Sequence, residues 1–131
     1  MEIKQHKEML TLPEINVELH PITRKTLELF IERVEEHEKD NLSKIILFGS
    51  VARGEANKES DIDVLLILKE CFFEKKRAIC YISADVERDM DFDENAYLQA
   101  LTMSKEESQG LDYYDLMLNV NKEGVVLYDS K

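Results

Sequence analysis

At 131 residues, with 44% apolar and 34% charged side chains, the chain has the length of one domain and an ordinary globular composition, which excludes a disordered or low-complexity protein. Its formal net charge of −11 argues against direct nucleic-acid binding, which draws its affinity from Lys and Arg on phosphates; a basic partner or a metal–nucleotide fits better. No apolar run reaches the ~20 residues that span a bilayer, and no signal-like segment opens the chain, so a cytoplasmic protein is expected.

In Met1–His20, Ile15, Val17 and Leu19 alternate with Asn16 and Glu18 between Pro13 and Pro21, an accessory edge strand or an arm that packs on a partner. From Ile22 to about Asp40, Leu27, Phe30, Ile31 and Val34 recur at helical spacing with Thr23 as a candidate N-cap. Glu35, Glu36, Glu38 and Lys39 are then expected on the solvated side and His37 at the surface, while His6 and His20 have no partner at useful spacing.

The most specific stretch is Lys44–Leu68. Lys44–Phe48 and Asp61–Leu68 read as strands joined by a polar loop. Gly49 stops the first run, and its missing Cβ allows a sharp turn or close approach to a ligand. A short helix over Val51–Gly54 would put the donors of Ser50 at a helix N-terminus, which suits a phosphate. Period-two geometry places Asp61 and Asp63 on one face, their Cα atoms about 6.6 Å apart. Two carboxylates sharing a patch repel unless a cation lies between them. Oxygen donors without a neighbouring His or Cys point to Mg²⁺ held together with substrate phosphates. Arg53 either holds a phosphate with its fork or pairs with an acidic neighbour. Ser60 either contacts phosphate or satisfies the loop backbone.

Glu70–Arg88 reads as a crossover helix with Phe72, Ile79, Ile82 and Val86 inward and Lys75, Lys76 and Arg77 outward. Cys71 and Cys80, at neither metal nor disulfide spacing, are taken as reduced core thiols. Asp89–Glu94 reads as a strand with Met90 and Phe92 facing the core and Asp89, Asp91 and Asp93 facing the other way. Three like charges cannot be buried, so that face is open to water or shared with a metal. A carboxylate there, beside the Asp61–Asp63 strand, would serve as general base or further ligand. Ala96–Thr102 continues or ends the strand. Ser104 and Glu107 form a capping box, a helix follows over Leu111–Lys122 and ends at Gly124, and Val125–Tyr128 is a short strand or docking arm. Tyr113 and Tyr114 are core residues or anchors for a partner.

Gly49-Ser50, ten intervening residues, then Asp61-Ile62-Asp63, with Ala52-Arg53-Gly54 and Ser60 between, resembles the signature of polymerase-β-type nucleotidyltransferases. Within them the chain is most similar to the minimal nucleotidyltransferases found beside HEPN-domain proteins, and Asn119–Tyr128 resembles their C-terminal end. The resemblance implies an α+β fold, a small mixed sheet with helices packed on one face, over a single domain with an accessory segment at 1–21 and a core at about 22–128. It implies Gly49 and Ser50 on the triphosphate of ATP, with Arg53 and Ser60 nearby, and Asp61 and Asp63 on Mg²⁺. A third acid is implied on a neighbouring strand: Asp91, with Asp93 and then Asp89 as alternatives. The implied reaction moves AMP from ATP to a hydroxyl, and the implied acceptor is a tyrosine of a HEPN-type toxin. The chain would then be the antitoxin of a type VII-like pair. Two other readings keep the fold: a non-catalytic subunit that restrains its partner by contact, and a small-molecule nucleotidyltransferase acting as a homo-oligomer.

Overall fold

Pro21 has no N–H to leave unpaired and a φ suited to a first helical turn, so it opens helix α1 (Pro21–Glu38). A computed structural model describes residues 17–57 and 59–130; most of the expected N-terminal strand or arm lies outside them, and 17–20 form no strand. The N-cap is His20, whose Nδ1 accepts the Ile22 N–H at 3.0 Å. Thr23, the expected cap, is instead buried, and its hydroxyl donates to the Asn95 carbonyl at 2.8 Å. The stripe Leu27, Phe30, Ile31 and Val34 is buried as its spacing requires.

A 3₁₀ turn (Lys39–Asn41) leads into β1 (Leu42–Phe48), followed by one helical turn, α2 (Gly49–Ala52), and β2 (Ile62–Leu68). Helix α3 (Phe73–Asp89) crosses to β3 (Leu98–Ser104); α4 (Lys105–Ser108), α5 (Tyr114–Glu123) and β4 (Val125–Asp129) complete the described chain. The sheet order is β3-β2-β1-β4, with β1 antiparallel to both neighbours and β2 parallel to β3. Parallel neighbours need a long crossover, which α3 supplies.

The α+β class with a small mixed sheet is thus observed. On one face, Ile45, Leu47, Ile62, Val64, Leu66 and Leu68 pack against α1 and against Ile79 and Val86 of α3. On the other, Ile46, Leu65, Ile67 and Met103 meet Val120 of α5, with Leu116 and Met117 at the margin. The two long helices therefore share one face as expected, and the shorter α5 covers part of the second. The capping box at Ser104–Glu107 forms as read, at 2.8 and 3.0 Å. None of the described helices is long and apolar enough to cross a membrane.

Several local readings are corrected. Asp89–Glu94 is not a strand: α3 runs through Asp89, and Asp91 and Phe92 adopt left-handed φ of 58° and 53° in the turn that ends it. Asp89 pairs with Arg33 of α1, and Asp93 accepts the Asn95 N–H at 2.8 Å, so two of the three acids shape the exit from the helix. Phe92 is exposed rather than inward. Phe72 is also exposed, because α3 starts after it, and the cysteines are half-buried (Cys71) and exposed (Cys80) rather than core. Of the basic triplet, Lys75 and Lys76 pair with Glu38 and Glu107, and Arg77 stacks near Phe73 and Tyr81.

Glu38 is buried, not solvated. Burial pushes its carboxyl up, but hydrogen bonds from Asn41 (2.8 Å) and His37 (2.8 Å) and the ammonium of Lys75 (3.3 Å) outweigh this and hold it below the ordinary glutamate range. Donation to Glu38 orients Asn41, whose side chain accepts the Glu70 N–H and donates to the Glu70 carbonyl, both at 2.9 Å. One buried carboxylate thereby ties α1 to the segment that leaves β2. Replacing it, Glu38→Gln, should lower the unfolding free energy at pH 7 by about 1–3 kcal/mol, read by urea denaturation. Because the folded value lies below the unfolded one, this contribution is complete above the ordinary glutamate range and fades as pH falls through the folded value. The gap between variant and wild type should close in acid; a gap that widens there contradicts the assignment.

Candidate active site

Antiparallel pairing of β1 with β2 sets Phe48 opposite Asp63, so the first residue beyond β1 is Gly49, beside the second acid. Gly49 has φ +77°, and a Cβ built on it would overlap Oδ2 of Asp63 and stand 3.1 Å from its Cγ. The Gly-Ser corner therefore lies directly on the Asp63 carboxylate. The helical turn starts at Gly49 itself, two residues before the position read from sequence, and closes through Arg53 N–H to the Gly49 carbonyl (3.1 Å) and Glu55 N–H to the Ser50 carbonyl (2.9 Å). Val51 and Ala52 are buried in the larger core and anchor the turn, leaving Ser50 half-exposed at the corner. The leading N–H groups of such a turn have no partner inside it.

Asp61 is exposed just ahead of β2, and Asp63 is half-buried on the strand. Desolvation raises the Asp63 carboxyl above its ordinary range, the negative charge of Asp61 raises it further, and Arg53 partly opposes both. The guanidinium of Arg53 is shared with Glu55 (3.0 Å) and Glu123 (3.3 Å), so acid pairing is the role it displays here. The hydroxyl of Ser60 accepts the Asn57 N–H at 3.0 Å, and the Ser60 N–H donates to the Asn57 carbonyl at 3.0 Å, so Ser60 satisfies loop backbone.

The acid pair is under-compensated, and its donor set suits Mg²⁺, which is commonly held by one or two carboxylates, waters and substrate phosphates. The expected third carboxylate does not join it. Helix α3, which Asp91 follows, packs on the α1 face of the sheet, whereas Asp63 shares the opposite face with Leu65 and Ile67. Among the described residues no group of three or more His, Cys, Asp or Glu side chains is arranged to hold a metal. The residue paired with Asp63 on the neighbouring strand is Gln99. Its strand could have been located from Leu98–Ser104, apolar toward both faces and ending at the capping box, as a parallel strand with a packed layer on each side should be.

Gly49→Ala places a Cβ in the Asp63 carboxylate and forces a non-glycine residue into left-handed φ; unfolding should become about 1–3 kcal/mol easier, measured by urea denaturation. Asp63→Asn should act in the reverse direction. Its folded pKa is raised, so ionised Asp63 disfavours the fold above that value and ceases to do so as pH falls. The amide variant should be more stable than wild type at pH 7, with the gain vanishing in acid; a variant less stable at pH 7 contradicts the assigned environment.

Residues 27–124 match the family described as Nucleotidyltransferase domain. Two proteins of Methanocaldococcus jannaschii, each described as a "Putative protein adenylyltransferase", align over shorter stretches. One is 59% identical over 32 residues, 24% of this chain and 32% of that protein; the other is 42% identical over 43 residues, 33% and 43%. The alignments thus span less than half the length of these curated relatives. Among solved structures, the chain is similar to a crystal structure described as a toxin-antitoxin with AMP-PNP, at TM-score 0.55 and 19% identity over 78% of this chain and 73% of that one. It is also similar to an MntA-HpeT toxin-antitoxin mutant carrying two aspartate-to-glutamate changes, at TM-score 0.55 and 16% identity over 77% and 72%. At these identities the likeness is one of fold. The family match extends over well more than half of the sequence and encloses both the glycine–serine corner and the acid pair: the chain belongs to the nucleotidyltransferase domain family.

Proposed function

We propose that the chain transfers AMP from ATP to a hydroxyl with release of pyrophosphate, that the acceptor is a tyrosine on a HEPN-type toxin, and that the transfer restrains that toxin in the cytoplasm. The observation that carries the reading is the seating of Gly49 on Asp63, which puts a backbone corner without a side chain against an under-neutralised acid pair. Support for the finer steps comes from what resembles the chain: relatives described as protein adenylyltransferases, and a toxin-antitoxin fold neighbour described with AMP-PNP.

In this reading Gly49 and Ser50 receive the β/γ end of the triphosphate through backbone N–H groups and the serine hydroxyl. Asp61 and Asp63 would hold Mg²⁺, which when bound neutralises the triphosphate and favours in-line displacement at the α-phosphorus. Arg53, drawn from its exposed pairs, adds a cation beside the phosphates. The acceptor oxygen bonds to the α-phosphorus as the bond to the pyrophosphate oxygen breaks. Positioning and charge compensation carry most of such a reaction, which suits a site built from one corner and one strand. The net charge of −11 favours a basic partner surface over free nucleic acid.

A second reading, restraint of the partner by contact alone, is favoured by one observation: among the described residues no group of three or more His, Cys, Asp or Glu side chains is arranged to hold a metal. The double variant Asp61→Asn, Asp63→Asn separates the two. Transfer requires that it lose Mg²⁺-dependent ATP affinity in calorimetry and the labelling of acceptor by α-labelled ATP. Relief of toxicity as complete as wild type, in cells expressing the partner, would leave contact as the mechanism.

A further inference from the structure

Asp63 has two strand neighbours: Phe48 on β1, which leads into the Gly49 corner, and Gln99 on β3. Paired residues on adjacent strands share a face and lie about 4.8 Å apart across the ladder, so Gln99 occupies the open flank of the acid pair, on the face continued by Leu101 and Met103. It is exposed, on the strand that ends the sheet formed by the described residues. Here the chemistry of one atom matters. Attack by a hydroxyl on the α-phosphorus releases a proton, and an amide oxygen accepts a hydrogen bond but does not retain a proton near neutral pH. Among the described residues no third His, Cys, Asp or Glu joins Asp61 and Asp63 in a group that could hold a metal, Glu55 and Glu123 are engaged by Arg53, and the proposed reaction commits both aspartates to the cation.

We propose that Gln99 stands where a general base would act, so that this chain binds and orients the metal–nucleotide while the base that takes the proton is supplied by the acceptor protein. The inference rests on the transferase reading above and specifies its partner: one whose acceptor hydroxyl has a basic side chain of its own within reach, a carboxylate or a neutral imidazole. Transfer to water is correspondingly slow in the isolated chain. A carboxylate at position 99 removes that dependence. Water then bonds to the α-phosphorus, its proton passes to the new carboxylate, the bond to the β-phosphate oxygen breaks, and ATP and water give AMP and pyrophosphate.

The experiment uses the full chain with MgATP and no partner. It follows pyrophosphate release by wild type, Gln99→Glu and Gln99→Asp, with calorimetric ATP affinity measured with and without Mg²⁺. Gln109→Glu, which adds the same charge on the exposed end of α4, controls for charge alone. Thermal melts confirm that each variant folds, and the two acids at position 99 guard against a failure of either one. The expected result is release about 100-fold faster for at least one position-99 acid, with the position-109 variant at the wild-type rate. Position-99 acids that bind MgATP as wild type does yet release pyrophosphate no faster overturn the role of Gln99 and leave the transferase reading standing. An equal rise in the position-109 variant overturns it as well. Wild type with no Mg²⁺-dependent affinity for ATP overturns the transferase reading, and this inference falls with it.

Discussion

The pairing of Phe48 with Asp63 is the constraint on which the rest depends, because it decides that the residue after β1 meets the acid of β2. That register is set by burial and not by the site. Val64, Leu66 and Leu68 fill one core while Leu65 and Ile67 fill the other, so a slip of one residue would exchange the two faces and turn Asp63 into the layer beneath α1 and α3. Asp63 is the one charged residue of β2, and it stands near the end where the corner begins. Five apolar residues thus aim one carboxylate.

Glu38 and Asp63 show how the same side-chain chemistry divides between structure and site. Both lose solvent. Glu38 regains more than it loses, through two hydrogen bonds and an ammonium, and its carboxyl is held down; Asp63 has an acid and a shared guanidinium as company, and its carboxyl is pushed up. Removing a partner from a satisfied buried acid costs stability, whereas an unsatisfied one already carries a cost that a ligand can relieve. This contrast, more than burial alone, separates the candidate site acid from a structural one here.

Much of the architecture was legible in local pattern. The α1 stripe, the two site strands and the Ser104 capping box each rest on spacing within one element, and the fold kept them. The misreadings share a physical origin in tertiary partners. Asp89–Glu94 alternates like a strand, yet Met90 packs on the larger core as the continuation of α3, and the acids that follow accommodate a left-handed exit that alternation cannot reveal. Glu38 sits in a run of charges that looks solvated; its burial depends on Lys75, thirty-seven positions away, and on the Asn41 clamp. Gln99 carried no chemical signal and emerges only from the β2–β3 register.

Arg53 shows why both readings of a cation beside such a site can hold together. Its contacts with Glu55 and Glu123 join the corner to the last residue of α5, and so connect the Gly49–Ala52 turn to the helix on the second face. Exposed pairs of this kind are worth about 0–1 kcal/mol each. They are strong enough to orient the guanidinium near Asp63 and weak enough to yield to a ligand of several negative charges, since attraction grows with the charge of the partner while the cost of leaving each carboxylate to water stays small. The carboxylates that hold Arg53 therefore leave it available to a stronger anion instead of sequestering it.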